Sequence, residues 1–177
     1  MIVDIGYISL SLALIVTIYV MVASFVGGWQ RIPVLVLSGR YGMATVPVLL
    51  SVATVALVYA FVRNDFSVAY VVENSNLAMP VQYTWVAFYA GNAGSLLFIE
   101  LVFSVLSIIA IASMAKRIPF TAPFATGIMS LVLSFFLCVT VFLANPLERL
   151  LVAQVDGQGI NPLLVHFGMF IHPPVQM

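Results

Sequence analysis

The fold is decided by the stretch IGYISLSLALIVTIYVMVASFVGGW at residues 5–29, which lies in an uncharged run between Asp4 and Arg31. A helix of about 20 apolar residues can cross a bilayer, and helices satisfy their own backbone hydrogen bonds in hydrocarbon. The stretch is therefore predicted to be a transmembrane helix. Its length and its acidic start argue against a cleaved signal peptide, which begins with basic residues.

Three further apolar runs follow. One lies between Arg40 and Arg63 with Pro47 near its start, another is interrupted by Glu100, and the last lies between Arg117 and Glu148. We predict an all-α integral membrane protein in which residues 1–177 form a single domain. Its four transmembrane helices are expected at about 5–29, 42–62, 86–115 and 121–144.

The composition excludes several classes of protein. Of the 177 residues, 63% are apolar and 7% are charged, and the mean hydropathy is +1.18. Water-soluble domains carry roughly a quarter charged residues. Six basic and six acidic residues give no net positive field for nucleic acid. The single cysteine, Cys138, rules out a disulfide framework within the chain, and we interpret it as a small buried apolar residue.

The distribution of cations predicts the orientation in the membrane. The two short connections between helices carry four basic residues and no acidic residue: Arg31, Arg40, Lys116 and Arg117. Because cytoplasmic loops are enriched in Lys and Arg, we expect these connections in the cytoplasm and both termini on the exoplasmic side. The exoplasmic face then receives the loop at 63–84 and the tail at 145–177, and function is expected there.

The exoplasmic loop alternates apolar residues at positions 66, 68, 70 and 72, which is typical of an extended segment. Such a segment is compatible with a clamp for a flat apolar ligand. It is equally compatible with an interfacial loop anchored by aromatic residues such as Tyr83 and Trp85. At the outer end of the third helix, the small residues from Gly91 to Ser95 are expected to allow close helix packing.

Near the carboxyl end, His172 precedes Pro173 and Pro174. Prolines stiffen the backbone, and a stiff segment suits an axial haem ligand that must hold its imidazole in a fixed direction. The alternative is an interfacial histidine in a tight turn, which the spacing alone favours. Two histidines from one short segment are not expected to bind one iron, so His166 receives no role.

Glu100 interrupts the third apolar run, where an ionised carboxylate is costly. It is expected to be paired, protonated or interfacial. A proton relay and a carboxyl group hydrogen-bonded to a neighbouring helix are both open.

Several segments together resemble the cytochrome c maturation protein F (CcmF) family of haem lyases. Their order and spacing agree with the amino-terminal portion of that family over essentially the whole chain. The matching segments are DFSVAYVVENSN at 65–76, Pro80, Tyr83, GSLL at 94–97, NPLERLL at 145–151, DGQGINPLL at 156–164 and IHPP at 171–174.

The resemblance implies a multi-pass protein of the plasma (inner) membrane that takes part in c-type cytochrome biogenesis. Members take haem from a membrane-anchored haem chaperone and join its vinyl groups to the cysteines of apocytochrome c. By this resemblance, His172 is the exoplasmic ligand of a b-type haem in transit, and Pro173 and Pro174 hold it in place. The implied partners are the haem chaperone, apocytochrome c, its thiol-handling partners and the remaining portion of the haem lyase. No catalytic residue is identified.

The chain departs from the family at 89–95, where YAGNAGS replaces a segment that in many members carries a tryptophan, a histidine and a glutamate. Other family histidines and the tryptophan-rich loop belong to later helices, so we expect the chain to be a piece of a larger or split haem lyase, incomplete as an enzyme on its own. The alternatives are a small subunit of a proton-translocating complex with Glu100 as relay, and a structural helix bundle.

Overall fold

The computed structural model describes residues 1–80 and 83–160, and within them it contains helices and no strand. Four of the helices are long and apolar enough to cross a membrane, which confirms the predicted all-α fold with four spanning helices. Among the described residues the α-helices are α1 (Ile2–Trp29), α2 (Pro33–Val62), α3 (Ala69–Asn74), α4 (Thr84–Ala90), α5 (Asn92–Arg117) and α6 (Ala122–Phe142).

The predicted start of the second helix, at about residue 42, is wrong, because α2 begins at Pro33. The uncharged run begins after Arg40, but a charged side chain marks where the hydrocarbon ends and does not interrupt backbone hydrogen bonding. Proline suits the first turn of a helix, where its missing N–H would have no partner. Pro47 lies inside α2, where its carbonyl oxygen accepts a bond from Ser51 Oγ at 2.6 Å.

The third predicted helix, at about 86–115, is two helices in the structure. The chain is extended at Gly91, with φ −102° and ψ 166°, and this residue separates α4 from α5. Lys116 and Arg117 form the last turn of α5, where cations interact favourably with the helix dipole. The helix α6 spans 122–142 against the predicted 121–144, a difference within the uncertainty of helix ends.

The extended conformation predicted for residues 66–72 is wrong for most of that segment. Only Val68 forms a bridge, antiparallel to Arg149, and the chain then turns into the short helix α3. The alternation of apolar residues gave a wrong prediction because Tyr70, Val71 and Val72 are all buried. Neighbouring side chains therefore contact protein on different sides of the segment.

Small residues bring α1 and α2 into close contact. A β-carbon at Gly39 would lie 2.7 Å from Ser24 Oγ, and one at Gly42 would lie 2.7 Å from Val20 Cγ2. Such close approach is the usual basis of helix association in lipid, where burial of apolar surface supplies little driving force. The helix α1 also packs against α6, and α5 packs against both α2 and α6.

Replacing Gly39 with valine is expected to destabilise the α1–α2 pair, because the side chain has no space beside Ser24. Overpacking of this kind typically costs about 1–3 kcal/mol. The measurement is the midpoint of thermal unfolding in detergent. The matched control is Ala44→Val, at an exposed position of the same helix. An equal midpoint for the two variants would contradict the close contact.

Candidate functional site

Two segments that are far apart in sequence pair at one end of the helix bundle. The backbone N–H of Ala69 donates to the Glu148 carbonyl oxygen at 2.9 Å, and that of Leu150 donates to the Ser67 carbonyl oxygen at 2.8 Å. These bonds flank the bridge between Val68 and Arg149. We call residues 65–80 and 145–160 together the cap. They cover most of the loop at 63–84 and about half of the tail at 145–177, the two segments that are predicted on the exoplasmic face.

A second set of bonds closes the cap farther along both segments. Gln158 N–H donates to the Val72 carbonyl oxygen at 2.7 Å, and Gly159 N–H donates to that of Ser75 at 3.0 Å. The Asp156 carboxylate accepts a bond from the backbone N–H of Leu77 at 2.9 Å. A β-carbon at residue 157 would collide with the Ser75 carbonyl oxygen, so this close approach requires Gly157.

The cap is tied to α1 by an ion pair. Arg149 Nη2 lies 3.0 Å from Asp4 Oδ2, and the terminal amino group of Met1 lies 2.8 Å from the same oxygen. Both pairs are exposed, so each adds little stability on its own. Asp4, Glu148 and Arg149 also line a cavity of about 460 Å³, together with Tyr7 and Asn145. Charged groups of both signs therefore face this opening beside the cap.

The hydroxyl group of Tyr70 holds the cap to the break between α4 and α5. It lies 3.0 Å from the Phe88 carbonyl oxygen and 3.2 Å from that of Gly91, and it accepts a bond from Gly91 N–H at 3.0 Å. Burial raises the pKa of Tyr70 to about 12, because the phenolate would lose its hydration. The neutral hydroxyl thus satisfies backbone groups that the interruption of the helix leaves open.

The small residues around Gly91 do allow close packing, as the sequence predicted, but against the cap. A β-carbon at Gly91 would lie 2.8 Å from Tyr70 Cε2, and one at Gly94 would lie 2.6 Å from Tyr70 Oη and would collide with the Phe88 carbonyl oxygen. The segment at 89–95 therefore has a structural role at the break between α4 and α5.

An aromatic cluster covers the outside of this break. The ring of Trp85 stacks on Phe88 at 5.6 Å between centroids and meets Phe98 edge to face at 6.3 Å. Tyr89 belongs to the same cluster, 6.0 Å from Trp85. Phe88 is fully buried, whereas Trp85 is 44% exposed. The sequence predicts an interfacial position for Trp85, and the packing of α4 against α5 brings Phe98 to its ring.

Glu100 makes an interhelical hydrogen bond, which is one of the two alternatives that the sequence allows. Thr140 Oγ1 of α6 donates to Glu100 Oε1 at 2.5 Å, and the glutamate side chain is 1% exposed. Its second oxygen, Oε2, has no hydrogen-bond partner among the described residues. Ser104, one turn away, donates instead to the Leu101 carbonyl oxygen. The Thr140 bond therefore joins α5 to α6, while the Ser104 bond lies within α5.

The described residues contain no group of three His, Cys, Asp or Glu side chains that could hold a metal ion. His166, His172, Pro173 and Pro174 lie outside the described residues, so their predicted roles stay predictions. Cys138 is exposed on α6, and the expectation that it is buried is wrong. Its apolar neighbours in sequence suggested burial because a lipid-facing surface is as apolar as a core.

Sequence reasoning missed the role of Tyr70. Its position in an apolar alternation indicates only which face of the segment it occupies. Its partners lie about 20 residues away, at the break between α4 and α5, where the sequence predicts one continuous helix. Gly91 was the available signal, since an isolated glycine inside an apolar run can mark a close backbone approach.

Comparison with known proteins identifies relatives over nearly the whole chain. No family model matches. The cytochrome c-type biogenesis protein CcmF of Haemophilus influenzae is 34% identical over 180 residues, which cover 99% of this chain and 27% of the relative. The CcmF protein of Pseudomonas aeruginosa is 32% identical over 177 residues, again covering 99% and 27%. The chain therefore spans about a quarter of the length of these curated relatives.

A solved structure described as cytochrome c heme lyase CcmF has the same fold. It superimposes with a TM-score of 0.82 at 24% identity, covering 99% of this chain and 27% of that chain. The similarity supports the arrangement of the four long helices and the cap.

Replacing Tyr70 with phenylalanine is expected to lower the free energy of unfolding by about 1–3 kcal/mol, because backbone groups of Phe88 and Gly91 lose their buried partner. Tyr41→Phe removes an exposed hydroxyl and serves as the control. Chemical unfolding of both variants in detergent measures the difference.

The same variant is expected to change the titration of the protein at high pH. The pKa of Tyr70 is raised from 10.0 to about 12, so its stabilising contribution is fully present below pH 10 and is lost as the pH rises through 12. Phenolate absorbance should show a late-titrating tyrosine that Tyr70→Phe removes. If the late-titrating component persisted in Tyr70→Phe, the buried hydrogen-bond network would be contradicted.

Proposed function

Because the chain belongs to the CcmF family of cytochrome c-type biogenesis proteins and corresponds to their amino-terminal portion, we propose that it forms part of a haem lyase that matures c-type cytochromes. The observation that carries this proposal is the match over 99% of the chain at 34% identity. Haem is the substrate in transit. The haem lyase would join this haem to the cysteine thiols of apocytochrome c.

In this proposal the cap lies on the exoplasmic face. The cations at the other end of the bundle, Arg31, Arg40, Lys116 and Arg117, support a cytoplasmic position for that end. Both termini then lie outside, where apocytochrome c receives its haem. The location is the plasma (inner) membrane.

Labelling of single thiols tests this orientation. In a Cys138→Ala background, Ala153→Cys in the cap should react with a membrane-impermeant maleimide added to intact spheroplasts. Gln30→Cys, in the turn after α1, should react only after lysis. Both positions are exposed in the structure. The reverse pattern would place the cap in the cytoplasm and remove the proposed site for haem transfer.

We infer that His172 ligates the haem iron through a neutral imidazole nitrogen. Pro173 and Pro174 would restrict the backbone on which that imidazole sits, so that less conformational freedom is lost on ligation. The described chain reaches Ile160 through the cap, and the DGQG segment at 156–159 is bonded to α3 and the residues after it. These hydrogen bonds fix the position of the chain just before the segment that contains His172.

The chemistry of attachment is addition of a thiol across a vinyl group. A carbon–sulfur bond forms, the vinyl double bond becomes a single bond, and the thiol proton passes to the other vinyl carbon. The part expected of this chain is to hold the haem so that its vinyl groups face the cysteines. No acid or base for the proton is assigned to it.

The surface of the cap supports contact with an apolar ligand or with the remaining portion of the haem lyase. Leu151, Val152 and Val155 are largely exposed on it. Exposed apolar groups in a cluster usually mark an interaction site or a membrane contact. The haem chaperone and the thiol-handling partners of apocytochrome c are further proposed partners.

His172→Ala is expected to abolish or strongly reduce the Soret absorbance of the protein purified with its partner chains, because the iron loses this axial ligand. His166→Ala removes the other imidazole and should leave the absorbance near the original level. Both variants must assemble to the same extent, as measured by co-purification. Unchanged absorbance in an assembled His172→Ala protein would overturn the proposed ligation.

A further inference from the structure

A cavity of about 480 Å³ opens at the end of the bundle opposite the cap. It lies between the turn that joins α1 to α2 and the beginning of α6. Two guanidinium groups and several apolar side chains line it, including Arg31, Arg40, Leu37, Phe120 and Pro123. We call it the basic cavity.

The two arginines of the basic cavity have no carboxylate partner among the described residues. Of the six acidic residues, five belong to the cap or to the start of α1, at the far end of the bundle, and Glu100 is bonded to Thr140. Lys116 and Arg117 add further positive charge near the same end, in the last turn of α5. An anion that neutralises the cavity must therefore come from outside the described chain.

The backbone at Arg31 is a second observation. Its φ of 56° lies in the left-handed region, and Ile32 N–H donates to the Gly27 carbonyl oxygen at 2.9 Å, which closes the end of α1. Glycine is the usual residue at this position of a helix end, because it adopts left-handed dihedrals without strain. An arginine there points to a role for its side chain.

The surroundings of the cavity match a molecule with a charged head and an apolar tail. Phe120, Val34 and Leu37 are exposed at 79%, 73% and 49%. Arg40 lies seven residues into α2, roughly 10 Å along the helix axis from Pro33. Guanidinium groups near the end of a spanning helix lie at the depth of lipid headgroups, with apolar side chains of the same helix facing the acyl chains.

We propose that the basic cavity binds the phosphate headgroup of an anionic phospholipid, with Arg31 and Arg40 as its ligands. Guanidinium groups form paired, charge-assisted hydrogen bonds with phosphate oxygens. The acyl chains lie along the exposed apolar surface beside Leu37 and Phe120. The lipid would thereby join the α1–α2 turn to the start of α6, and this role is independent of haem transfer at the cap.

Lipid binding is measured on the chain with its co-purifying partners in nanodiscs that contain phosphatidylcholine and increasing fractions of phosphatidylglycerol. Native mass spectrometry counts the phosphatidylglycerol molecules that remain bound. The double variant Arg31→Gly, Arg40→Gln removes both ligands, and glycine suits the left-handed turn. The matched control, Lys116→Gln with Arg117→Gln, removes the same charge from the same end outside the cavity.

The ligand variant is expected to retain phosphatidylglycerol about tenfold less well than the original protein, while the control retains it nearly as well. Equal loss in both variants would mean general surface attraction and would overturn the proposal, as would no loss in either. Displacement of the lipid by inorganic phosphate at equal concentration would show a site for free anions and would also overturn it. If the glycine variant fails to fold, Arg31→Asn tolerates the same left-handed backbone and replaces it.

Discussion

Backbone N–H and C=O groups in hydrocarbon have no water to bond, and this constraint organises the molecule. Inside the four long helices the groups satisfy one another. Where the chain leaves the helices at the cap, each of its two segments supplies several partners for the other. The carbonyl oxygens of Ser67 and Val72 accept bonds from residues 150 and 158, and Asp156 caps Leu77 N–H. The two segments of the cap therefore stabilise each other's irregular backbone.

Tyr70 applies the same principle to the interrupted helix. A break between α4 and α5 opens backbone groups at Phe88 and Gly91, and one phenolic hydroxyl both donates and accepts there. The hydroxyl comes from α3, which is itself bonded to the tail segment through the cap. Segments that are far apart along the chain are thus connected by successive hydrogen bonds. The tail segment holds α3, and α3 holds the start of the third spanning helix.

The two ends of the bundle differ in charge. At the cap, the carboxylates of Asp4 and Glu148 and the guanidinium of Arg149 line one cavity, and the ion pair between Asp4 and Arg149 ties the cap to α1. At the other end the cavity is lined by Arg31 and Arg40, which have no acidic partner in the part of the chain that the structure describes. The charges at the cap are of both signs, whereas those that line the opposite cavity are positive.

The amino-acid sequence by itself determined that the chain is helical, that four helices are long enough to cross a membrane, and which family it belongs to. The four apolar runs, including those between Asp4 and Arg31 and between Arg117 and Glu148, suffice for the first two, because the length and apolar composition of a run decide whether it can cross hydrocarbon. Only the tertiary structure decided that α2 begins at Pro33, that residues 69–74 are helical, and that Gly91 separates two helices. It also supplied the partners of Tyr70 and Glu100. Those partners lie about 20 and 40 residues away along the chain, and hydrogen bonds over such separations depend on how the helices pack, which no local pattern of residues specifies.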